Sequence, residues 1–207
     1  GVSLKLIAVS QRVDEYPDRN EIRDAIDQRL IAFVSVSDFQ PVPVPNRISM
    51  SRDRNERKYA VLRWAEQVGV DAIVLSGGND IGEYLHRDET EYWLLDYAEM
   101  HKLPVLGICR GMQMMGVMNG GILEKIENHV QVDHKIIGEL SGSVNSYHNL
   151  SFTSCPDGYE VLAKTNDGCI EGIRHKLLPW EGWMWHPERY EIWRESDIDR
   201  IKYIFGG

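Results

Sequence analysis

Val105-Leu106-Gly107-Ile108-Cys109-Arg110-Gly111-Met112-Gln113-Met114-Met115-Gly116-Val117-Met118 follows Pro104 and passes from an apolar run into a helical pattern. The spacing predicts a buried strand over 105–108, a tight turn at Cys109 and a helix from Arg110 to about Met118. Met112, Met114, Met115 and Met118 on that helix read as core packing against a sheet, because methionine fills irregular gaps between layers.

The same alternation extends in both directions. Upstream, Leu4 to Ser10 reads as a first strand, Asn20 to about Val36 as a helix, and Val42 to Val44 as a short strand between prolines. The helical reading rests on Ile22, Ala25, Ile26, Leu30 and Phe33. Asn46 to Arg54 is a polar loop, Glu56 to Val68 a helix stopped by Gly69, Ala72 to Leu75 a buried strand, and Thr90 to His101 a helix. Beyond Gly120-Gly121 the segments shorten, and Ser143 to Tyr147, Tyr159 to Lys164 and Ile170 to Ile173 predict antiparallel additions in the C-terminal half. The fold class is therefore α/β, with a mostly parallel central sheet flanked by helices. Without an internal repeat, low-complexity tract or long linker, the expectation is a single domain over residues 1–207.

Composition bounds the function. A chain of 207 residues, 43% of them hydrophobic, buries a substantial core. A formal charge of -9 repels a polyanion, so nucleic acid is excluded as a partner. No apolar span reaches membrane length, and GVSLKLIAVS enters a strand pattern without a basic region and cleavage site, so a cytoplasmic protein is expected. The three cysteines, at 109, 155 and 169, lack metal-ligand spacing and fit a reduced compartment. Cys155 and Cys169, without flanking glycines or a helix start, read as spectators.

Cys109 differs from both. In Gly107-Ile108-Cys109-Arg110-Gly111 it sits between glycines at a strand-to-helix junction, the cysteine counterpart of the G-x-S-x-G elbow. Bare positions permit the tight turn that exposes the sulfur, and the helix N-terminus favours thiolate. A thiolate nucleophile needs a proton donor, and Trp185-His186-Pro187-Glu188 supplies one. Pro187 biases His186 toward an extended backbone, which lets Glu188 project to the same side and orient the imidazole. An oxyanion needs two N–H donors: the backbone of Arg110, just after the nucleophile, and Gly78 in the glycine loop Ser76-Gly77-Gly78-Asn79-Asp80 that follows the 72–75 strand. Trp180, Trp183 and Trp185 read as packing.

Elbow, glycine loop and His-Pro-Glu segment, in this order, resemble the class I glutamine amidotransferase-like superfamily, whose fold is flavodoxin-like. Gly107-Ile-Cys-Arg-Gly-Met-Gln113 matches that superfamily's nucleophile motif. The Arg after the Cys, Val144-Asn-Ser-Tyr-His148 and Trp185-His-Pro-Glu188 resemble its γ-glutamyl hydrolase branch, which includes γ-glutamyl-γ-aminobutyrate hydrolases. The resemblance implies a catalytic triad of Cys109, His186 and Glu188, oxyanion donors at Gly78 and Arg110, and glutamyl contacts from Gln113, Ser146, Tyr147 and Asn79. His148 is left out of the triad because His186 has the carboxylate partner.

Ser10 to Arg29 resembles, within that branch, the γ-glutamyl-CDP-amidate hydrolases of bacterial capsule phosphoramidate biosynthesis. These cleave a γ-glutamyl bond to nitrogen on a nucleotide diphosphoramidate. A diphosphate leaving group calls for positive charge, and Arg47, Arg52 and Arg54, with Arg57 and Lys58 nearby, are the phosphate-binding candidates. Cations at a helix start oppose its dipole, so a compensating group is expected. The reaction implied is hydrolysis of a γ-glutamyl C–N bond through a cysteinyl thioester, with no metal and no organic cofactor required. The partner is a small-molecule γ-glutamyl substrate, a nucleotide conjugate on the N-terminal resemblance, and a homo-oligomer is left open. A glutaminase subunit delivering ammonia to a synthetase, and a non-catalytic binding protein of the same fold, are the alternatives.

Overall fold

The computed structural model describes residues 3–206; Gly1, Val2 and Gly207, including the first two residues of GVSLKLIAVS, lie outside the described residues. The first half runs β1 (Leu6–Val9), β2 (Arg12–Tyr16), β3 (Glu21–Ala25), α1 (Gln28–Val36), β4 (Gln40–Pro43), α2 (Arg54–Val68), β5 (Ala72–Leu75), α3 (Leu85–His101), β6 (Val105–Ile108) and α4 (Arg110–Met118). The second half is β7 (Glu124–Lys125), β8 (Val130–Gly138), β9 (Gly142–Tyr147), β10 (Leu150–Ser151), β11 (Tyr159–Lys164), β12 (Ile170–His175), β13 (Trp180–Trp183) and α5 (Glu195–Gly206).

β5 and β6 are buried at every position, as strands covered on both faces must be. They stand in the middle of a parallel block ordered β4-β1-β5-β6-β13, which continues antiparallel as β12-β11-β8-β9. Taking the five parallel strands in chain order, their arrangement is 2-1-3-4-5, the flavodoxin-like doubly wound pattern. Such a sheet presents its ligand site beyond the carboxyl ends of its strands. Cys109 follows β6, Gly77 and Gly78 follow β5, and His186 lies beyond β13, so topology alone gathers them at one edge.

Three expectations need correction. The helix read from Asn20 to Val36 begins only at Gln28, and Arg12–Tyr16 pairs antiparallel with Glu21–Ala25 as a hairpin. Pro17 opens the connecting 3-10 turn and Asn20, at φ +53°, closes it in the left-handed region. Asp27 caps α1 by accepting from the Arg29 N–H at 2.8 Å. The helical period was accidental: Ile22 points to solvent from β3. Second, α3 begins at Leu85 rather than Thr90, because its first turns are polar residues buried as ion pairs, which a hydrophobic period does not register. Third, β13 is an unpredicted parallel strand, read in the sequence only as packing tryptophans.

α2 is stabilised at its N-terminus by Asp53, which accepts from the Asn55 and Glu56 N–H groups at 2.8 and 3.1 Å, and it ends at Gly69 with φ +74°. Met112, Met114 and Met115 are buried against the sheet, Met118 is partly exposed, and Trp183 stacks on Trp185 inside the core.

Candidate active site

Gly107 and Gly111 let α4 turn back tightly on β6. A Cβ on Gly107 would lie 2.6 Å from the Gly111 carbonyl carbon, and one on Gly111 would collide with the Leu75 carbonyl. The close approach is purchased with strain at Cys109, whose φ is +54° and ψ −105°, a region that costs an L residue on the order of 1–3 kcal/mol. Its N–H donates to the Trp183 carbonyl at 2.6 Å and its carbonyl accepts from the Gln113 N–H at 3.0 Å, so the kink is fixed by β13 and α4.

His186 is brought beside Cys109 by the bareness of Gly77: a Cβ there would sit 2.8 Å from His186 Cε1 and 3.8 Å from Cys109 Cβ. His186 Nδ1 lies 2.6 Å from Glu188 Oε1. His186 itself is extended, at φ −102° and ψ +97°, as the following proline predicts, and Glu188 then lies in a 3-10 turn over Pro187–Arg189 that brings its carboxylate to the ring. Burial disfavours charge on His186, but the Cys109 sulfur and the Glu188 carboxylate outweigh it and raise the imidazole to about 9.

Asn145, unassigned in the sequence although it lies inside the Val144–His148 motif, holds the backbone of His186. Its Oδ1 accepts from the His186 N–H and its Nδ2 donates to the His186 carbonyl, each at 2.8 Å. Tyr190 Oη accepts from the Asn145 N–H at 2.8 Å and anchors the clamp.

The glycine loop is organised by Arg87, which is fully buried and was not predicted. It donates to the carbonyls of Ser76 at 2.9 Å and Gly77 at 3.1 Å, and also to that of Gly78. Three successive carbonyls of the loop are thereby held by one guanidinium, while the Ser76 N–H donates to Ser10 Oγ at 2.9 Å and the Asp80 N–H to Glu83 Oε2 at 2.9 Å. Burial lowers Arg87 to about 10, against the opposing pull of Glu91. Glu91 also binds Arg110, which pairs in addition with Asp88, and accepts from Ser10 Oγ at 2.8 Å. The Arg110 side chain therefore joins the elbow to α3.

Cys109, Arg110, Gly78, Asn79, Gln113, Tyr147 and His186 line a cavity of about 340 Å³. Gln113 lies on its wall and donates to the Leu150 carbonyl at 3.1 Å. Asn79 uses both ends of its amide on Val13, at 2.8 and 3.1 Å, and so holds the β2–β3 hairpin against the loop. Ser146 does not line the cavity; its hydroxyl donates to the His129 carbonyl. His148 does line it and has its own carboxylate, Glu171 Oε1 at 3.2 Å from Nε2, so the possession of an acidic partner does not single out His186.

Arg47, Arg52 and Arg54 are not brought to the cavity. Arg54 pairs with Glu89 at 3.6 Å and lies over the Trp93 ring, while Arg57 binds Glu89 at 3.0 Å and Lys58 meets Asp96 at 3.4 Å. The basic run answers acids of α3, and Asp53 and Glu56 compensate it at the helix start. Besides Arg110, whose guanidinium is paired with Asp88 and Glu91, the cations that reach the cavity are Arg12, from the hairpin, and Arg189, stacked over the Tyr147 ring at 4.5 Å. Arg12 belongs to the Ser10–Arg29 stretch and Arg189 directly follows Glu188, yet neither was singled out as a phosphate contact.

A 2-1-3-4-5 sheet with this strand-turn-helix elbow and a His–Glu pair at its carboxyl edge defines an α/β amidohydrolase acting on C–N bonds. Residues 36–198 match the model of the glutamine amidotransferase class-I family, and the chain belongs to that family. It is 28% identical to the γ-glutamyl-CDP-amidate hydrolase of Campylobacter jejuni, covering 96% of this chain and 94% of that one. It is 31% identical to a glutamine-hydrolyzing GMP synthase subunit from Methanothrix thermoacetophila over 59% of this chain and 70% of that one. A solved glutamine amidotransferase from Thermotoga maritima superposes with a TM-score of 0.60 at 13% identity, over 90% of this chain and 77% of that one, a likeness of fold alone. Among the described residues no helix is long and apolar enough to cross a membrane.

Proposed function

We propose that the chain hydrolyses a γ-glutamyl C–N bond through a thioester on Cys109, with a nucleotide diphosphoramidate as the leaving group. The observation that carries this reading is the buried His186, set between Cys109 and Glu188 on the cavity floor. The Cys109 thiolate attacks the γ-carbonyl carbon, and the oxyanion accepts from the Gly78 and Arg110 N–H groups. As the C–N bond breaks, the His186 imidazolium gives its proton to the departing nitrogen. Water then attacks the thioester with His186 taking its proton, which releases glutamate and regenerates the thiolate.

The leaving group is supported by the relative from Campylobacter jejuni and by two arginines. Arg12 and Arg189 line both the Cys109 cavity and a second one of about 250 Å³ beyond His186, so the two spaces meet at the proton donor with cations on their shared rim. Gln113, Tyr147 and the backbone near Ser146 are the glutamyl-side candidates. The free thiols at 109, 155 and 169 suit a cytoplasmic setting.

Likeness to a GMP synthase component supports a second reading, a glutaminase delivering ammonia to a synthetase. Glutamate release by the purified chain from γ-glutamyl-CDP-amidate, γ-glutamyl amides and glutamine separates the two. Preference for the nucleotide amidate, lost in Cys109→Ala with the fold retained, is the expected result. Preference for glutamine overturns the leaving group, and turnover by Cys109→Ala overturns the mechanism.

A further inference from the structure

A second cluster of chemistry-bearing side chains lies beside the cavity, and the amidohydrolase mechanism does not use it. His129 precedes β8, His148 follows β9, and Glu171 is on β12; their side chains are almost wholly buried. The β8–β9 pairing sets Val130 opposite Tyr147, and the His148 N–H donates to the His129 carbonyl at 3.1 Å, so the two imidazoles are fixed side by side.

The outer nitrogen of each ring has an acceptor. His148 Nδ1 faces the Leu150 carbonyl at 3.2 Å, and His129 Nε2 faces Asp167 Oδ2 at 2.9 Å. These partners assign the ring protons to the outer nitrogens, which leaves lone pairs on His148 Nε2 and His129 Nδ1. Both lone pairs face Glu171 Oε1, at 3.2 and 3.3 Å. Three acceptors thus converge where water does not reach, and a positive species between them relieves the repulsion. His129 Nδ1 and Glu171 Oε2 have no hydrogen-bond partner, and neither does Nε2 of His134, whose ring packs on His129 with centroids 4.1 Å apart.

We infer that His129, His148 and Glu171 form a binding site for a divalent transition-metal ion of the zinc type. Ligands about 2.0–2.1 Å from a tetrahedral Zn²⁺ lie about 3.3 Å from one another, close to the separation of Glu171 Oε1 from each imidazole nitrogen, and all three ligand atoms lie within 4.8 Å of one another. Two imidazoles and a carboxylate favour zinc over magnesium or calcium. The outer contacts to Asp167 and Leu150 are the second layer that metal-bound histidines normally have, and Asp167 is itself held by Thr165. Glu171 Oε2, which has no hydrogen-bond partner, is available as a further donor. The ion is a staple: it joins β12 to the segment that presents Tyr147, His148 and Asn149 to the cavity, and it takes no part in bond breaking.

The test uses the full chain carrying Cys109→Ala, so that the nucleophile cannot bind metal. Equilibrium dialysis against Zn²⁺ followed by elemental analysis is expected to give one equivalent per chain, and Co²⁺ to give tetrahedral visible absorption. The melting temperature rises with Zn²⁺ concentration, and Asp167→Ala weakens binding by about 10- to 100-fold. Glu171→Gln and His129→Ala lose the equivalent. A chain that takes up no Zn²⁺ and shows no cobalt spectrum overturns the site, because a proton on one imidazole then satisfies Glu171. Binding that survives both His129→Ala and Glu171→Gln overturns it as well. The unsubstituted cluster is read first, so misfolding of a variant does not decide the outcome.

Discussion

Asn145 binds the main chain of His186 at both its N–H and its carbonyl, each at 2.8 Å, so one amide fixes the height of the imidazole over Cys109. Asn145→Ala leaves two buried backbone groups unpaired, which costs about 1–3 kcal/mol of stability for each. It also frees the ring to move, and a displacement near 1 Å lowers turnover by about 100-fold. Steady-state kinetics beside thermal unfolding checks this: kcat is expected to fall much more than KM changes, in a chain that still unfolds cooperatively.

His186 is raised to about 9, burial opposing and Cys109 and Glu188 overcoming it. Its proton is therefore present at neutral pH and leaves as pH rises through about 9. In the proposed mechanism that proton is the one given to the departing nitrogen, so kcat/KM is expected to fall on the alkaline side. Glu188→Gln removes a favourable charge, so the alkaline limb moves to lower pH. A pH–rate profile of both proteins checks the direction; an unmoved limb excludes Glu188 from the proton relay.

Arg87 holds the carbonyls of Ser76, Gly77 and Gly78 together. Arg87→Met leaves them and Glu91 without this partner, and breaking such a buried pair costs about 3–5 kcal/mol. The glycine loop loosens, and an oxyanion donor out of position lowers kcat by about 100-fold or more. Chemical denaturation and kinetics read the two effects separately, and Arg87→Lys is expected to restore little, since a lysine cannot reach all three carbonyls from one planar head.

Arg12 and Arg189 stand on the rim shared by the two cavities. Replacing either with Ala is expected to lower kcat/KM for a phosphate-bearing γ-glutamyl substrate by about 10-fold, the scale of one charge-assisted hydrogen bond. The ratio of that value to kcat/KM for glutamine is the measurement, because glutamine has no phosphate to lose. Arg54→Ala leaves the ratio unchanged, since Arg54 lies against Glu89 and Trp93.

Local features were legible in the sequence. The 105–118 stretch announced strand, elbow and helix because an apolar run, two glycines flanking Cys109 and a helical period follow directly on one another, and Gly69 marked the end of α2. The hairpin at β2 and β3 was not, because its residues are largely exposed and carry no alternating pattern, while Ile22, Ala25 and Ile26 happened to fall at helical spacing. Arg87 was invisible for a related reason: a charged residue on a helix reads as solvent-facing until the partners that bury it are known.

The basic loop and the histidine cluster make the same distinction from opposite sides. Arg47, Arg52 and Arg54 are neighbours in sequence and suggested a phosphate site, yet α3 brings Glu89 to Arg54 and the cavity lies elsewhere. His129, His148 and Glu171 are scattered along the chain and suggested no common site, yet β8, β9 and β12 bring them together. By itself the sequence determined the alternation of strands and helices, the elbow and the identity of the residues around Cys109, because these depend on hydrophobic period and on what each residue does to its own backbone. Which carboxylate meets which base, which arginines border the cavity and where lone pairs converge were decided only by the tertiary structure, because strand order, not chain order, sets distances between charges.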